Sequence, residues 1–273
     1  MTTAKTYNFT HEAMKTVFQL RLCADDAVLA KNAALDCFER LDAIEDSLSR
    51  YIPGSDVWQI NHMQSGQSLF VSEDCYQCLR LAMLVGQASS GLFDITLGRL
   101  IEHRKSAAEA APPALAGQLM IDDTRPKVHC IERGREIDLG GIGKGYALDV
   151  LAERCREWGI TNGLLSAGAS TQLAFGNRPW ELAMRGDQHN CELKLQEQAL
   201  SASGTAIQGS HIVSPSGDNA SLPRRRAWVR TSSAAMADAF STAALLATDL
   251  AAVQQNDLKI EIFVETEKGI GSP

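Results

Sequence analysis

The sequence predicts an α+β fold, in which antiparallel strands and flanking helices form one mixed domain over residues 1–273. Thr16 to Cys23 alternate apolar and polar side chains, which is typical of a half-buried strand. Further strands are predicted at Trp180 to Arg185, Cys191 to Leu195 and Ala199 to Ser201, arranged as an antiparallel meander. No linker-like segment divides the chain, so one domain is expected.

Helices are predicted between these strands. One begins at Asp25 and Asp26 and ends at about Leu48, and a second spans about Glu73 to Ser89, both with apolar residues at helical spacing. A short helix from Leu97 to His103 follows Asp94, which either caps that helix or is a carboxylate in need of partners. Tyr51, in the loop after the first helix, is either an ordinary half-buried aromatic or a surface on which a flat ligand stacks.

The segment from Ile137 to Asp149 contains four glycines and Lys144 within six positions. A short strand ending at Asp138 is predicted to lead through this glycine turn into a helix that Gly159 ends. Glycine lets a backbone approach a ligand closely, and the amides of a helix N-terminus favour an anion. The segment therefore suits a phosphate group, to which Lys144 adds a compact positive charge.

Two related motifs do not describe this segment. A Walker A loop needs Ser or Thr after the lysine, and a dinucleotide fingerprint needs a glycine where Tyr146 stands. A tight turn with a solvated lysine is the alternative to a phosphate site, and the spacing alone leaves both open.

A helix rich in small residues is predicted after the strand Trp228 to Arg230, and it contains Asp238 and Thr242 one turn apart. A carboxylate, a hydroxyl and backbone carbonyls are hard oxygen ligands of the kind that Mg²⁺ binds. The alternative is a hydrogen bond between the two side chains within a buried helix. A final strand is predicted from Lys259 to Glu265.

Composition excludes several classes of protein. The formal net charge of -7 argues against a general nucleic-acid binder, and Arg224 to Arg226 are interpreted as a solvated loop. The N-terminal residues lack the apolar core of a signal peptide, and no apolar run has membrane-spanning length, so a cytoplasmic protein without membrane insertion is expected. Seven scattered cysteines fit a reducing compartment, and Cys75 and Cys78 are interpreted as structural. His211, before an apolar pair and a turn, is either structural or a general base.

Taken together and in order, these motifs resemble the ApbE family of FAD:protein FMN transferases over nearly the whole chain. The segments that carry the resemblance are Met14 to Thr16, Leu48 to Tyr51 with Pro53 and Ser55, Asn61, Gly91 to Gly98, Ile137 to Asp149, Gly168, Pro179-Trp180, Ser203-Gly204, His211 to Pro215 with Gly217, and Ala237 to Ala243.

The resemblance implies Mg²⁺-dependent transfer of the FMN half of FAD to a Ser or Thr hydroxyl of an acceptor flavoprotein subunit, with release of AMP. It places flavin-nucleotide contacts at Met14, Tyr51, Leu92, Phe93, Asp94, Asp138, Lys144 and Ile212. It places the metal at Gly141, Asp238, Ser241 and Thr242, and it assigns to His211 the deprotonation of the acceptor hydroxyl.

The chain departs from the family pattern at four places. Lys15 stands at a glycine position, Ser170 replaces the acid of a Gly-Gly-Asp turn, and Ser214 replaces an acid after His211. The usual Thr-Ser-Gly is Ser201-Ala202-Ser203-Gly204. An FAD-binding module that has lost transfer, and a pyrophosphatase that uses water, therefore remain alternatives to an active transferase. The sequence identifies neither the acceptor nor the oligomeric state.

Overall fold

The computed structural model describes residues 5–106, 111–204, 213–215, 222–253 and 256–272. Its helices are α1 Ala27–Leu48, α2 Asp56–Asn61, α3 Glu73–Ala88, α4 Gly98–Lys105, α5 Gly143–Glu157 and α6 Ala234–Leu246, with 3₁₀ turns at Leu250–Ala252 and Asn256–Leu258. The strands are β1 Lys5–Ala13, β2 Thr16–Ala24, β3 Ser68–Phe70, β4 Gln118–Ile121, β5 Lys127–Glu132, β6 Asn162–Ala167, β7 Thr171–Phe175, β8 Trp180–Arg185, β9 Asn190–Leu195, β10 Gln198–Gly204, β11 Arg226–Thr231, β12 Glu261–Thr266 and β13 Gly269–Gly271.

Eight strands form one sheet in the order β1-β2-β6-β7-β10-β11-β12-β13, and every pair of neighbours is antiparallel. A three-stranded sheet has the order β3-β5-β4, and β8 and β9 form a separate hairpin. The predicted α+β fold with antiparallel sheets and flanking helices is thus confirmed.

The period of two along each strand sends neighbouring side chains to opposite faces of the large sheet. In β11, Ala227 and Val229 join the main core with helices α1, α5 and α6, whereas Trp228 joins a second core beneath the β8–β9 hairpin. In β10, Ala199 and Leu200 divide in the same way. The large sheet therefore lies between a layer of helices and a hairpin.

Capping side chains mark the N-termini of α1, α3 and α6. Asp26 caps α1 by accepting a hydrogen bond from Val28 N, and Ser72 and Ser233 do the same for α3 and α6. The helices predicted from Asp25 to Leu48 and from Glu73 to Ser89 are confirmed to within two residues. Among the helices in the described residues, none is long and apolar enough to cross a membrane.

Three local predictions were wrong, and one open alternative is decided. Asp94 does not cap α4, whose N-cap is Leu97 without a side-chain hydrogen bond. Ile137 and Asp138 are not in a strand: Asp138 N donates to Ile95 O (2.8 Å), and Ile137 pairs with the Asn61 side chain, whose Nδ2 donates to Ile137 O (2.9 Å) and whose Oδ1 accepts from Ile137 N (2.6 Å). The predicted meander breaks after β9, since β10 pairs with β7 and β11.

The third wrong prediction concerns the arginine cluster. Arg225 is exposed as expected, but Arg224 donates from Nη1 to Ala244 O and Ala247 O at the end of α6. The side chain of Arg226 is 12% exposed and donates to Arg185 O. Both guanidinium groups therefore satisfy backbone carbonyls instead of water.

Candidate functional site

Two adjoining cavities lie where the glycine turn meets α4, α6 and the turn between β1 and β2. The first has a volume of about 210 Å³ and the second about 600 Å³. Of these two volumes, the second is within the range of roughly 300–1,000 Å³ that is typical of small-molecule sites, and the first is below it. Both cavities are lined by Lys105, Asp138, Gly140 and Lys144.

Most of the residues predicted from the sequence line one cavity or the other. Those on the first cavity are Leu92, Phe93, Asp94, Asp138, Gly141, Lys144, Asp238 and Thr242. Those on the second are Met14, Tyr51, Asp138 and Lys144. Ser241 lines neither cavity, and His211 and Ile212 lie outside the described residues.

The glycine turn is held by its own carboxylate. Asp138 Oδ1 accepts a hydrogen bond from Gly140 N at 2.8 Å, and Asp138 Oδ2 lies 3.3 Å from Arg50 Nη1. Arg50 also pairs with Glu136 at 2.7 Å, so one nearly buried guanidinium joins both acids that flank Ile137. This network fixes the turn and places Asp138 on the boundary between the two cavities.

Gly141 lies in a tightly packed position. A Cβ atom built there would lie 3.1 Å from the Phe93 ring and 3.5 Å from Thr242 Oγ1. The turn thus passes directly beside α6 and the Phe93 side chain. In the described residues, the amides of Gly141 and Lys144 make no hydrogen bond, which leaves two donors near the start of α5.

Gly145 brings α5 against the start of α6. A Cβ atom at this position would lie 2.1 Å from Ala234 O, so the helices approach more closely than any side chain would permit. The approach places Lys144 Nζ 3.5 Å from Asp238 Oδ2 and lets Gly145 N donate to the same oxygen at 3.3 Å. A residue of the glycine turn and a residue of α6 therefore form one ion pair.

Asp149 reinforces this helix pair from one turn further along α5. Its carboxylate accepts hydrogen bonds from Ser233 Oγ, Ala234 N and Ala235 N at 2.7, 2.7 and 2.9 Å, and thus caps α6. Burial raises the pKa of Asp149, although these three donors act in the opposite direction.

The carboxylate of Asp238 is only 4% exposed, and hydroxyl groups fix its orientation. Thr171 Oγ1 and Ser201 Oγ each donate to Asp238 Oδ1 at 3.2 Å, and they lie 3.0 Å from each other. Both hydroxyls come from the strands beneath α6. One oxygen of Asp238 is thus held by the sheet, while the other lies beside Lys144.

The hydroxyls of Ser241 and Thr242, which were predicted to bind the metal, both contact the hydroxyl of Ser203. Ser203 Oγ lies 2.7 Å from Ser241 Oγ and 3.2 Å from Thr242 Oγ1. Ser241 is fully buried and donates to Asp238 O at 2.8 Å, which is an ordinary local bond within a helix. Thr242 and Ser203 line the first cavity, and Ser241 lies one layer behind them.

The donor atoms at this place suit Mg²⁺. Gly140 O and Asp238 Oδ2 come from different parts of the chain. Both contact the Lys144 ammonium, at 3.0 and 3.5 Å. With Thr242 they offer a carboxylate, a hydroxyl and a carbonyl. Within the described ranges, no group of three or more His, Cys, Asp or Glu residues could hold a metal. Mg²⁺ is the ion that uses one or two carboxylates and takes its other ligands from water and substrate phosphates.

Asp94 and Phe93 form the opposite wall of the first cavity. Asp94 Oδ1 accepts hydrogen bonds from Thr96 N and Thr96 Oγ1, both at 2.7 Å, and Asp94 Oδ2 lies 3.4 Å from Arg135 Nη1. The carboxylate of Asp94 therefore stabilises a turn of its own segment and does not cap α4.

Several polar or charged cavity residues were not among the predicted site residues, and three of them bear on the chemistry. Ser203, Lys105 and Arg226 line the first cavity, and Lys105 also lines the second. Ser203 could have been found from the family pattern, since it belongs to the Ser203-Gly204 motif. Nothing in the local sequence distinguishes Lys105 or Arg226 from other surface cations.

The cysteines take no part in the site. All seven are free, six of them are buried, and Cys75 and Cys78 lie on the inner face of α3. Burial raises the pKa of the Cys78 thiol well above its ordinary value, and the charge of Asp238 adds to this effect. The structural interpretation of this pair is consistent with that burial. The cytoplasmic location stays a prediction.

Fold and site together define an α+β protein whose first cavity is lined by three cations and three carboxylates, namely Lys105, Lys144, Arg226, Asp94, Asp138 and Asp238. A model of the ApbE family matches residues 14–263, so the chain belongs to the ApbE family. Proteins named FAD:protein FMN transferase from Klebsiella pneumoniae and Vibrio cholerae are 25% and 23% identical to it. The Klebsiella match covers 62% of this chain and 56% of the relative, and the Vibrio match covers 84% and 78%. The chain thus spans about half the length of some curated relatives.

Solved structures show the same fold. The flavin transferase ApbE from Vibrio cholerae superposes with a TM-score of 0.83 at 20% identity, covering 99% of this chain and 97% of that one. The flavinyl transferase ApbE of Pseudomonas stutzeri, in its apo form, has a TM-score of 0.85 at 22% identity, with coverages of 100% and 96%.

Proposed function

We propose that this protein is a Mg²⁺-dependent FAD:protein FMN transferase. It transfers the FMN half of FAD to a Ser or Thr hydroxyl of an acceptor flavoprotein and releases AMP. The proposal rests on membership of the ApbE family and on the names of the relatives. The structural observation that carries it is the pair of Lys144 and Asp238, which share the first cavity with the glycine turn.

Diphosphate cleavage requires charge neutralisation more than covalent catalysis, because negative charge accumulates on phosphate oxygens in the transition state. Lys144 supplies a positive charge, and the unbonded amides of Gly141 and Lys144 supply hydrogen-bond donors beside it. Asp238, held by Thr171 and Ser201, keeps the Lys144 ammonium at the cavity wall. These groups orient the diphosphate and stabilise its charge.

Mg²⁺ would be held by Asp238, Thr242 and a glycine carbonyl of the turn, and when bound it supplies a Lewis acid for phosphate oxygens. The ammonium of Lys144, now between Gly140 O and Asp238, would then pair with the ligand. Ser241 supports this set through Ser203 and the backbone of Asp238. Its assignment as a direct ligand stays a prediction.

The acceptor hydroxyl is a weak nucleophile, so a general base that contributes about 10²–10⁴ in rate is expected. His211 is proposed for that role from the family resemblance, and it lies outside the described residues. Ser170, at the position of a family acid, lines the first cavity. This loss of a carboxylate is the observation that favours the second candidate, an FAD-binding module without transfer activity.

The test combines the protein with FAD, Mg²⁺ and a family-type acceptor protein. A fluorescent covalent adduct and an equal amount of AMP are expected. Free FMN and AMP without acceptor would instead identify a pyrophosphatase. FAD binding without AMP release against any acceptor would identify the inactive module.

A comparison of Asp238→Ala with Asp238→Asn separates the effect of losing the charge from the effect of losing the folded structure. The alanine variant is expected to abolish transfer, but it also leaves Thr171, Ser201 and Gly145 N without their acceptor. The asparagine variant keeps an acceptor oxygen and removes the charge, so we expect a folded protein with transfer reduced by roughly 10²-fold or more. Unimpaired transfer by either variant would reject the metal and charge roles of Asp238.

A further inference from the structure

The two-residue turn between β1 and β2 has an unusual backbone. Met14 and Lys15 have φ angles of +51° and +58°, in the left-handed region that favours glycine, and Ala13 pairs with Thr16 across the turn. Two positive φ angles define the turn type that matches the twist of a hairpin, and glycine is strongly preferred there. A lysine at this place carries a backbone cost, so its side chain is the feature to explain.

The Lys15 ammonium covers an aromatic ring. Its Nζ lies 4.0 Å from the centroid of the Tyr51 ring, on the wall of the second cavity, and the Tyr51 side chain is 45% exposed. A cation at this distance from a ring face is attracted by the ring quadrupole. No carboxylate of the described residues lies within 4 Å of Lys15 Nζ.

Two other cations lie near the same ring, and they differ from Lys15. Arg50, 5.7 Å from the centroid, is neutralised by Glu136 and Asp138. Lys105 Nζ lies farther from the centroid, at 5.5 Å, and donates a hydrogen bond to the Tyr51 hydroxyl oxygen at 2.9 Å. Of the three, Lys15 is the cation closest to the ring centroid.

A stacked ligand ring and an ammonium cannot occupy one ring face together, because each would sit at about 3.5–4 Å from it. A flavin that stacks on this face of Tyr51 must therefore displace Lys15. A flavin with phosphates at Lys144 brings negative charge into the cavity that Lys15 also lines, and the displaced ammonium gains an anionic partner. An uncharged flavin also displaces the ammonium, but it brings no negative charge with which the ammonium can pair.

The geometry points to Lys15 as a specificity-determining residue that favours phosphorylated flavins over uncharged ones. The inference rests on the proposed function, in which Tyr51 contacts the flavin. It assigns a purpose to a side chain where the family pattern has glycine.

The test measures the dissociation constants of riboflavin, FMN and FAD for the wild-type protein, Lys15→Gly and Lys15→Met. In both variants, riboflavin is expected to bind roughly two- to fivefold more tightly, the factor that an exposed cation–π contact is worth. FAD and FMN are expected to bind no more tightly than to the wild type. The preference for FAD over riboflavin should therefore fall.

Lys105→Met is the matched control, since it removes a charge from the same cavity and leaves Lys15, the cation nearest the ring centroid, in place. It should weaken FAD binding and leave riboflavin binding unimproved. A response of Lys15→Gly without a response of Lys15→Met would attribute the effect to the backbone and overturn the inference.

The remaining outcomes are also decisive. An unchanged FAD-to-riboflavin ratio in both Lys15 variants, in a protein that binds FAD, would overturn this inference and leave the proposed function intact. A wild-type protein that binds no FAD would overturn both.

Discussion

The two faces of the large sheet use the same strands for different purposes. Toward α6, β10 and β11 present small or polar residues such as Ala199, Ser201 and Ala227, whereas toward the hairpin they present Leu200 and Trp228. Small side chains let a helix approach closely and leave oxygen atoms near Asp238. Bulky ones fill a core that contains no group of the site. The helical face therefore positions the residues of the site, while the hairpin face contributes to stability.

The strongest test of the helical face is Gly145→Ala. The added methyl would meet Ala234 O at 2.1 Å, and because this atom is backbone, α5 and α6 must separate. We expect a loss of about 1–3 kcal/mol in the free energy of unfolding and a fall in transfer, as Lys144 moves from Asp238. Urea unfolding and AMP release measure the two effects.

Gly143→Ala is the matched control for stability. It adds the same methyl two residues earlier, where the nearest atom is Leu139 Cβ at 3.9 Å. Its free energy of unfolding should be unchanged or slightly raised, since alanine favours a helix. Equal stabilities for both variants would contradict the close-approach explanation.

The hairpin face should respond in the opposite manner. Met184, 1% exposed, belongs to the second core, and Met184→Ala is expected to cost about 2–5 kcal/mol in the free energy of unfolding. The folded fraction should bind FAD with little change in affinity, because no buried residue of this core lines either cavity, although the half-buried Ala202 packs against the core and lines the first cavity. Glu181→Ala on the exposed side of β8 is the control, with a change of no more than about 1 kcal/mol. A loss of FAD affinity in Met184→Ala would show that the faces are coupled.

The same contrast explains what the sequence could predict. Periodic patterns placed β2, α1 and α3, because their apolar residues recur at the spacing of the buried face, whereas α6 was predicted from its small residues. The pairing of β10 with β7 depends on which distant strand is free, and no local pattern contains that information. The side chain of Asn61 satisfies Ile137 across 76 residues, and Asp138 N donates to Ile95 O, so distant contacts that no local pattern contains fix this segment.

The candidate site was predictable to a similar extent. The family pattern placed Lys144, Asp238 and Thr242 together, and the structure shows how a glycine at 145 makes that proximity possible. Lys105 and Arg226 reach the cavity only through the tertiary fold. The exchange of glycine for Lys15 was visible in the sequence, whereas its contact with Tyr51 was not.

A finer test within the helical face compares Thr242→Val with Ser241→Ala. Thr242 lines the first cavity and Ser241 does not, so loss of the Thr242 hydroxyl should raise the Mg²⁺ concentration needed for half-maximal transfer by about tenfold. Ser241→Ala should have a smaller effect. The reverse order would identify Ser241 as the metal ligand. Both measurements are Mg²⁺ titrations of AMP release.

The smallest expected effect concerns the attachment of the hairpin. Glu265 on β12 accepts hydrogen bonds from the amides of Asp187, Gln188 and His189 at 2.7, 2.8 and 2.8 Å, and thereby holds the β8–β9 turn against the sheet. These amides lower the pKa of Glu265 to about 2, below the ordinary value of about 4.3. A carboxylate with a lowered pKa stabilises the folded state above its unfolded pKa, and this contribution is lost as the pH falls toward about 2.

Glu265→Gln should therefore lower Tm at about pH 7, and the difference from the wild type should shrink as the pH falls from about 4.3 to about 2. Circular dichroism melts across this range measure it, and FAD affinity near neutral pH should stay the same because Glu265 lines neither cavity. A difference in Tm that is constant with pH would show that the amide bonds do not depend on the charge of Glu265. The charge of Glu265 would then contribute nothing to the attachment of the hairpin, which would depend on its apolar core and on the contacts of Arg225 and Arg226 with Asp187 and Arg185 O.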